Sequence, residues 1–308
     1  MGLPYRDKRC FRDLRRTRQK AIIVLAAVLA LLLTACGSPF ARVPAATADP
    51  YAGMVEVESG FGTKMWVVRH EELAESPFLG WTDLEAVPEG YAVSAGIDVS
   101  EHQGEIDWAK AAASGVDFAI LRAGYRGYGE AGRLVEDPRF RANMAGALAA
   151  RVPVGVYFFS QAVTPEEAAE EAEFLLSLLS DWAPEKLSLP VFYDWEDISH
   201  DTARTDGLDG ETVTACAIAF CERVAAAGYT PGIYAYRYLA YFSYDLPRLA
   251  AYPLWVGALS GESDFYYAHA FWQNAVAEGI AGIDGPVDRD FWFMLPEAEA
   301  VQIGRAHV

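Results

Sequence analysis

The chain has 308 residues, with 43 Asp and Glu against 25 Lys and Arg, a formal net charge of −18 and a pI near 4.6. So acidic a surface repels nucleic acid, which is excluded as a partner. The length suffices for one large core with an appendage, and four cysteines are too few for a disulfide framework.

In chain order, residues 1–20 carry Arg6, Lys8, Arg9, Arg12, Arg15, Arg16, Arg18 and Lys20 against Asp7 and Asp13 alone, and 21–35 are uncharged and almost wholly apolar. A basic start, a short apolar run and small residues before a break predict a secretory signal over 1–35. The apolar run falls short of the ~20 residues a spanning helix needs. Leu33-Thr34-Ala35-Cys36 resembles a bacterial lipobox. Cys36 is therefore the expected lipidation site, and the protein is expected to be exported and held at the outer face of the bacterial cell membrane. One acyl chain anchors only marginally, so stable attachment calls for several. Residues 36–53 read as the anchor and a flexible linker rich in Ser, Pro and Ala. Residues 54–92 read as a small extension. Its Met54–Val57 and Lys64–Val68 segments flank Gly60 and Gly62 as in a hairpin.

From residue 93 apolar strands alternate with helical runs. Strands are predicted at 93–99, 117–124, 153–160, 189–196, 230–236, 252–258, 269–274 and 287–293, and helices at 107–114, 138–151, 165–180 and 211–227. Thr164, Pro165 and Glu167 supply an N-cap, an N1 proline and a capping-box acid. Gly228 stands where a C′ glycine belongs. Such alternation predicts a parallel α/β fold. Eight strands favour closure over an open sheet. The fold class is thus α/β, an irregular (β/α) barrel of about eight strands over 93–295, with 296–308 as a tail. The later connections are too short for full βα units. Cys216 and Cys221, five apart on a predicted helix, face different directions and read as small core residues.

The most telling segment is Leu189-Pro-Val-Phe-Tyr-Asp-Trp-Glu196, an apolar strand ending in two acids. Strand side chains alternate faces, so Asp194 and Glu196 project together, roughly 6.5–7 Å apart at Cα. Two acids at a dry strand end need something to offset repulsion and desolvation. Splitting their pKa values, so that one holds a proton, prepares a general acid. A solvated pair just past the strand is the plain alternative. Asp98 ends the first predicted strand and Asp288 opens the last, so four acids from distant sequence converge on one rim, where such folds place their chemistry.

The motifs are similar to those of family 25 of the glycoside hydrolases, lysozymes that cut peptidoglycan as N-acetylmuramidases. The matching pieces, in order, are Gly96-Ile-Asp-Val-Ser100 with Gln103-Gly104 and Ile106-Asp107-Trp108, then Phe118–Gly124, Asp137-Pro-Arg-Phe140 with Asn143, and Val154–Ser160. Asp194-Trp-Glu196, Pro231-Gly-Ile-Tyr234, Leu254-Trp-Val256, Phe271-Trp-Gln273 and Val287-Asp288 follow. The resemblance covers roughly residues 95–293 and implies a flattened, irregular barrel with an acidic groove. Carried over by position, it implies that Glu196 is the general acid, that Asp194 steadies the intermediate, and that Asp98 and Asp288 line the groove. Phe158 stands where the family often has His, and Asn274 where an aromatic is frequent.

Hydrolysis of the β-1,4 bond between N-acetylmuramic acid and N-acetylglucosamine is therefore expected. Glu196 protonates the leaving oxygen, and the substrate's own 2-acetamido group or a carboxylate at 194 or 98 acts at the anomeric carbon. Tyr157, Tyr234, Trp255 and Trp272 are candidates for lining the sugar site, since aromatics stack on sugar faces, although such residues equally fill barrel cores. Gln273 is a candidate hydrogen-bonding residue, and Arg122 is expected to pair with a rim acid. The five histidines lack ligand spacing, so neither a metal nor a cofactor is expected. The competing readings are a non-catalytic glycan-binding lipoprotein on the same barrel and a chitinase-like glycosidase. Apolar Pro190, Val191 and Phe192 stand where the latter usually has alternating acids.

Overall fold

The computed structural model describes residues 49–58, 61–182, 184–199 and 201–294. The expected signal, the lipidation site Cys36 and the tail 296–308 lie outside these residues. Among the described residues, no helix is long and apolar enough to cross a membrane.

Strands β1 (Met54–Glu58) and β2 (Lys64–Val68) form an antiparallel hairpin in the register Met54↔Val68 to Glu58↔Lys64. The barrel follows with β3 (Ala92–Val99), β4 (Phe118–Arg126), β5 (Leu134–Glu136), β6 (Val154–Ser160), β7 (Val191–Trp195), β8 (Pro231–Tyr236), β9 (Leu254–Gly257), β10 (Phe271–Ala277) and β11 (Val287–Met294). Helices α1 (Trp108–Ala113), α2 (Phe140–Ala149), α3 (Pro165–Leu178) and α4 (Gly210–Ala226) occupy the predicted stretches, and α5 (Arg237–Phe242) and α6 (Leu246–Leu249) follow β8. Capping sets the starts of α3 and α4. Thr164 Oγ1 accepts from Glu167 N while Glu167 returns a carboxylate oxygen to Val163 N, and Asp209 accepts from Thr212 N.

The sheet runs β3-β11-β10-β9-β8-β7-β6-β4, with β3 also paired to β4, and so closes on itself; β5 is a short antiparallel addition to β4. Seven barrel strands run parallel to one another, whereas β11 runs antiparallel to both of its neighbours, β10 and β3. The interior is filled by Phe118, Ile120, Leu189, Phe192, Phe271 and the bases of Tyr157, Tyr234 and Trp255. Small residues opposite make the space: a Cβ on Gly96 would lie 2.6 Å from the Phe118 ring, and one on Gly232 would lie 2.6 Å from Phe192.

The connections into β10 and β11 carry no helix, which leaves Trp272, Phe291 and Phe293 on an outer face without a helical cover. The segment after the hairpin supplies that cover. Phe78 stacks on Phe293 with ring centroids 3.8 Å apart, and Trp81 meets Phe291, Phe293 and Trp272 edge-on at 5.4, 5.7 and 6.2 Å. Backbone bonds fix the layer, among them Ser76 N to Tyr266 O, Ala268 N to Ala74 O, and the reciprocal pair Gly80 N to Ser263 O and Ser263 N to Trp81 O. Asp83 adds an ion pair to Arg289 at 3.0 Å.

Candidate active site

Period-two alternation on each barrel strand sends one polar or aromatic side chain into the mouth of the barrel. These are Asp98 from β3, Arg122 from β4, Tyr157 from β6, Asp194 from β7, Tyr234 from β8, Trp255 from β9, Gln273 from β10 and Asp288 from β11. Glu196, just past β7, joins them, as do Phe159, Tyr236 and Leu259, and together they line a cavity of about 300 Å³. Asp288 reaches this rim because β11 is reversed: its first residues lie where the other strands end, and Asp288 pairs directly with Asp98 across the β3–β11 ladder.

Trp272 does not belong to the cavity. Adjacent strand residues face opposite ways, so Gln273 pointing in turns Trp272 out. There it is 1% exposed, packs under Trp81 and donates its Nε1–H to Ala258 O at 2.9 Å. The same alternation places Phe158 in the outer core, beside Phe174 of α3. Asn274 is likewise outside the cavity lining and accepts from Arg289 Nε at 3.0 Å. The two departures from the family pattern therefore do not line the cavity.

A hydrogen-bond chain orders the floor. Tyr234 OH donates to Gln273 Oε1 at 2.9 Å, and Gln273 Nε2 donates to Asp98 Oδ2 at 2.7 Å. Arg122 does find acids, but not the ones expected. Its Nε bonds Asp137 at 2.8 Å and an Nη bonds Glu101 at 3.1 Å, which leaves the catalytic candidates without a direct cation. Asp194 Oδ1 is buried and has no hydrogen-bond partner among the described residues.

This crowding shows in the proton affinities. Burial, then the charge of Asp288, pushes Asp98 up to about 7, against hydrogen bonds that pull it down. Burial, then the charges of Glu196 and Asp98, lifts Asp194 well above the carboxylate range, with Arg122 as the opposing influence. Burial and the charge of Asp288 raise Glu196, opposed by a hydrogen bond with Tyr234. Asp288 is raised by burial. Such a cluster retains protons at neutral pH and shares them as a unit.

Two supporting features were missed in the sequence. Asp290 is fully buried behind the floor and accepts from Trp255 Nε1 at 2.8 Å. Gln161, also fully buried, donates from Nε2 to the backbone carbonyl of Glu196 at 3.2 Å and accepts from Thr205 Oγ1 at 2.8 Å. Its own N–H bonds Glu171, which Arg126 and Ser160 also hold, at 2.7 and 2.6 Å. Asp290 carried a signal in its place two residues past Asp288 on one strand face; a lone Gln after a strand carries none. Among the described residues, no group of three or more His, Cys, Asp and Glu is arranged to hold a metal ion.

A family model described as glycosyl hydrolases family 25 matches residues 97–283. Lysozyme M1 of Streptomyces globisporus is 26% identical over 302 residues, covering 90% of this chain and 92% of that protein. The modular autolysin LytC from Streptococcus pneumoniae, solved with a synthetic peptidoglycan ligand, superimposes with a TM-score of 0.57 at 24% identity, over 78% of this chain and 56% of its own length. A bacterial lysozyme from Streptomyces coelicolor gives 0.52 at 22% identity, over 70% of this chain and 98% of that one. At these identities the two superpositions speak for the fold alone.

Proposed function

The chain belongs to family 25 of the glycosyl hydrolases, and from that premise we propose that it hydrolyses peptidoglycan between N-acetylmuramic acid and N-acetylglucosamine, with Glu196 as the general acid. The observation that carries the reading is the meeting of Asp194 and Glu196 with Asp98 and Asp288 in one cavity lined by aromatic residues. Burial and neighbouring negative charge favour protons on both Glu196 and Asp194, with Arg122 the one influence toward the anion at Asp194. The working state is therefore the one in which Asp194 has given up its proton and Glu196 keeps one.

In the first step Glu196 gives its proton to the bridging oxygen as the bond from that oxygen to the muramic acid C1 breaks. The oxygen of the 2-acetamido group bonds to C1 in its place, and the group's N–H donates to Asp194, whose Oδ1 has no partner among the described residues. Water then adds at C1 as the bond from C1 to the acetamido oxygen breaks, which restores the acetamido group, and the water's proton passes to Glu196. Tyr157, Tyr234 and Trp255 shape the pocket for a sugar ring, and Gln273 aligns Asp98 beneath it. The reading is tested by mass spectrometry of the reducing termini released from purified peptidoglycan. New reducing muramic acid ends are expected; reducing glucosamine ends would favour a chitinase-like specificity, and no release would favour a binding protein. From the lipobox-like Leu33–Cys36 we also propose that a lipid on Cys36 holds the enzyme at the outer face of the cell membrane. Release of Cys36→Ser into the soluble fraction tests that placement, and unchanged membrane partition overturns it.

A further inference from the structure

Asp290 lies two residues beyond Asp288 on the inward face of β11, wholly shielded from solvent. Trp255 Nε1 satisfies Oδ1, whereas Oδ2 meets no donor among the described residues. Across the β3–β11 ladder Asp290 pairs with Gly96 and Asp288 with Asp98, so Asp290 and Asp98 are diagonal neighbours on the inward face and their carboxyls bear on each other. Two carboxylates cannot bond each other without a proton between them, and burying both as anions with no cation alongside is costly. Arg122, the cation of the cavity, is committed to Asp137 and Glu101. The proton must then sit on one of the two. Asp98 already accepts from Gln273 at 2.7 Å, which favours its anionic form, and Asp290 is the more deeply enclosed.

We propose that Asp290 is a positioning residue: a neutral carboxylic acid that accepts from Trp255 and donates to Asp98, holding Asp98 as an oriented anion at the floor of the site. The titratable groups facing it are Asp98 of β3, Asp288 of its own strand and Tyr234 of β8. Burial first, then the charge of Asp98, pushes its proton affinity far above the usual carboxylate range, in keeping with this assignment. The pair behaves as a neutral acid bonded to an anion, a buried arrangement known to persist at neutral pH where an apolar site stabilises the protonated form. The inference concerns the catalytic role of Asp98 only through the function proposed above; its protonation state stands independently.

The test compares Asp290→Asn with Asp290→Leu in the whole chain. An asparagine reproduces both bonds, its Oδ1 toward Trp255 and its Nδ2–H toward Asp98, and replaces a neutral group by a neutral group. Asp290→Asn is expected to retain kcat within about threefold and to leave the alkaline limb of the pH–rate profile in place. Asp290→Leu is expected to lower kcat at least thirtyfold at similar KM. A downward shift of the alkaline limb by half a unit or more in Asp290→Asn would mean that a negative charge had been removed, and would overturn the proposal. Infrared difference spectra at pH 7 provide an arm free of turnover. A protonated carboxyl stretch present in the wild type and lost in Asp290→Asn supports the assignment, and its absence from the wild type refutes it, even if Asp290→Leu fails to fold or peptidoglycan proves not to be the substrate.

Discussion

At the scale of single residues, the paired acids of the strand end carry the sharpest expectations. Glu196→Gln keeps the size and hydrogen bonds of the side chain but has no proton to give, so kcat on peptidoglycan suspensions should fall by about 10²–10⁴ with thermal stability retained. Asp194→Asn should lower kcat and kcat/KM together, by about 10²–10³, because in the proposed mechanism its contribution arises as positive charge develops. Both variants are checked by turbidity clearance alongside thermal melts. Wild-type clearance by Glu196→Gln would remove it from the role of acid. Period-two alternation made the shared face of Asp194 and Glu196 legible in the sequence, and strand ends pointed to Asp98, whereas Tyr157 and Tyr234 were open between site and core and Gln273 between binding substrate and bracing a loop. The same rule, applied to adjacent positions, excludes Trp272 once Gln273 is inside. Arg122 was legible as a buried cation, but its partners Glu101 and Asp137 come from turns whose closure no local pattern announces.

At the scale of elements, strands with strong apolar runs and helices with caps were readable, because local chemistry specifies them. The short α5 has no side-chain cap and β5 spans three residues held by β4, so neither had a local signature. The role of residues 69–91 was equally silent. Their order comes from the uncovered faces of β10 and β11, a feature of tertiary structure. Phe78, 1% exposed and stacked on Phe293, is the centre of that layer. Phe78→Ala should therefore cost about 3–5 kcal/mol in denaturant unfolding, while kcat at temperatures below the melt stays near wild type, since the residue lies on the outer face of the barrel. A loss below about 1 kcal/mol would show the layer to be dispensable.

At the scale of the whole molecule, the retained protons link stability to pH. Glu171 is pushed up to about 7, chiefly by burial, and Asp194, Glu196, Asp288 and the Asp98–Asp290 pair, which holds one proton in common, shift the same way. The folded chain thus binds more protons than the unfolded chain between the ordinary carboxylate range and about pH 7, so these groups favour the fold at lower pH and lose that contribution as pH rises through their folded values. His269, lowered to about 4 by burial, works in the opposite sense below its ordinary value, but it is one group against five. The urea midpoint should be higher at pH 5.5 than at pH 8, by on the order of 1–3 kcal/mol in unfolding free energy; a higher midpoint at pH 8 would contradict the assignment of these protons. The seam of the barrel has a different consequence. Asp98 and Asp288 face each other because the first and last barrel strands zip together, and contacts between such distant stretches form slowly. A ribosome must deliver nearly the entire domain before the two can meet, so a nascent or prematurely terminated polypeptide lacks the Asp98–Asp288 seam, and on the function proposed above hydrolysis waits until synthesis has passed β11.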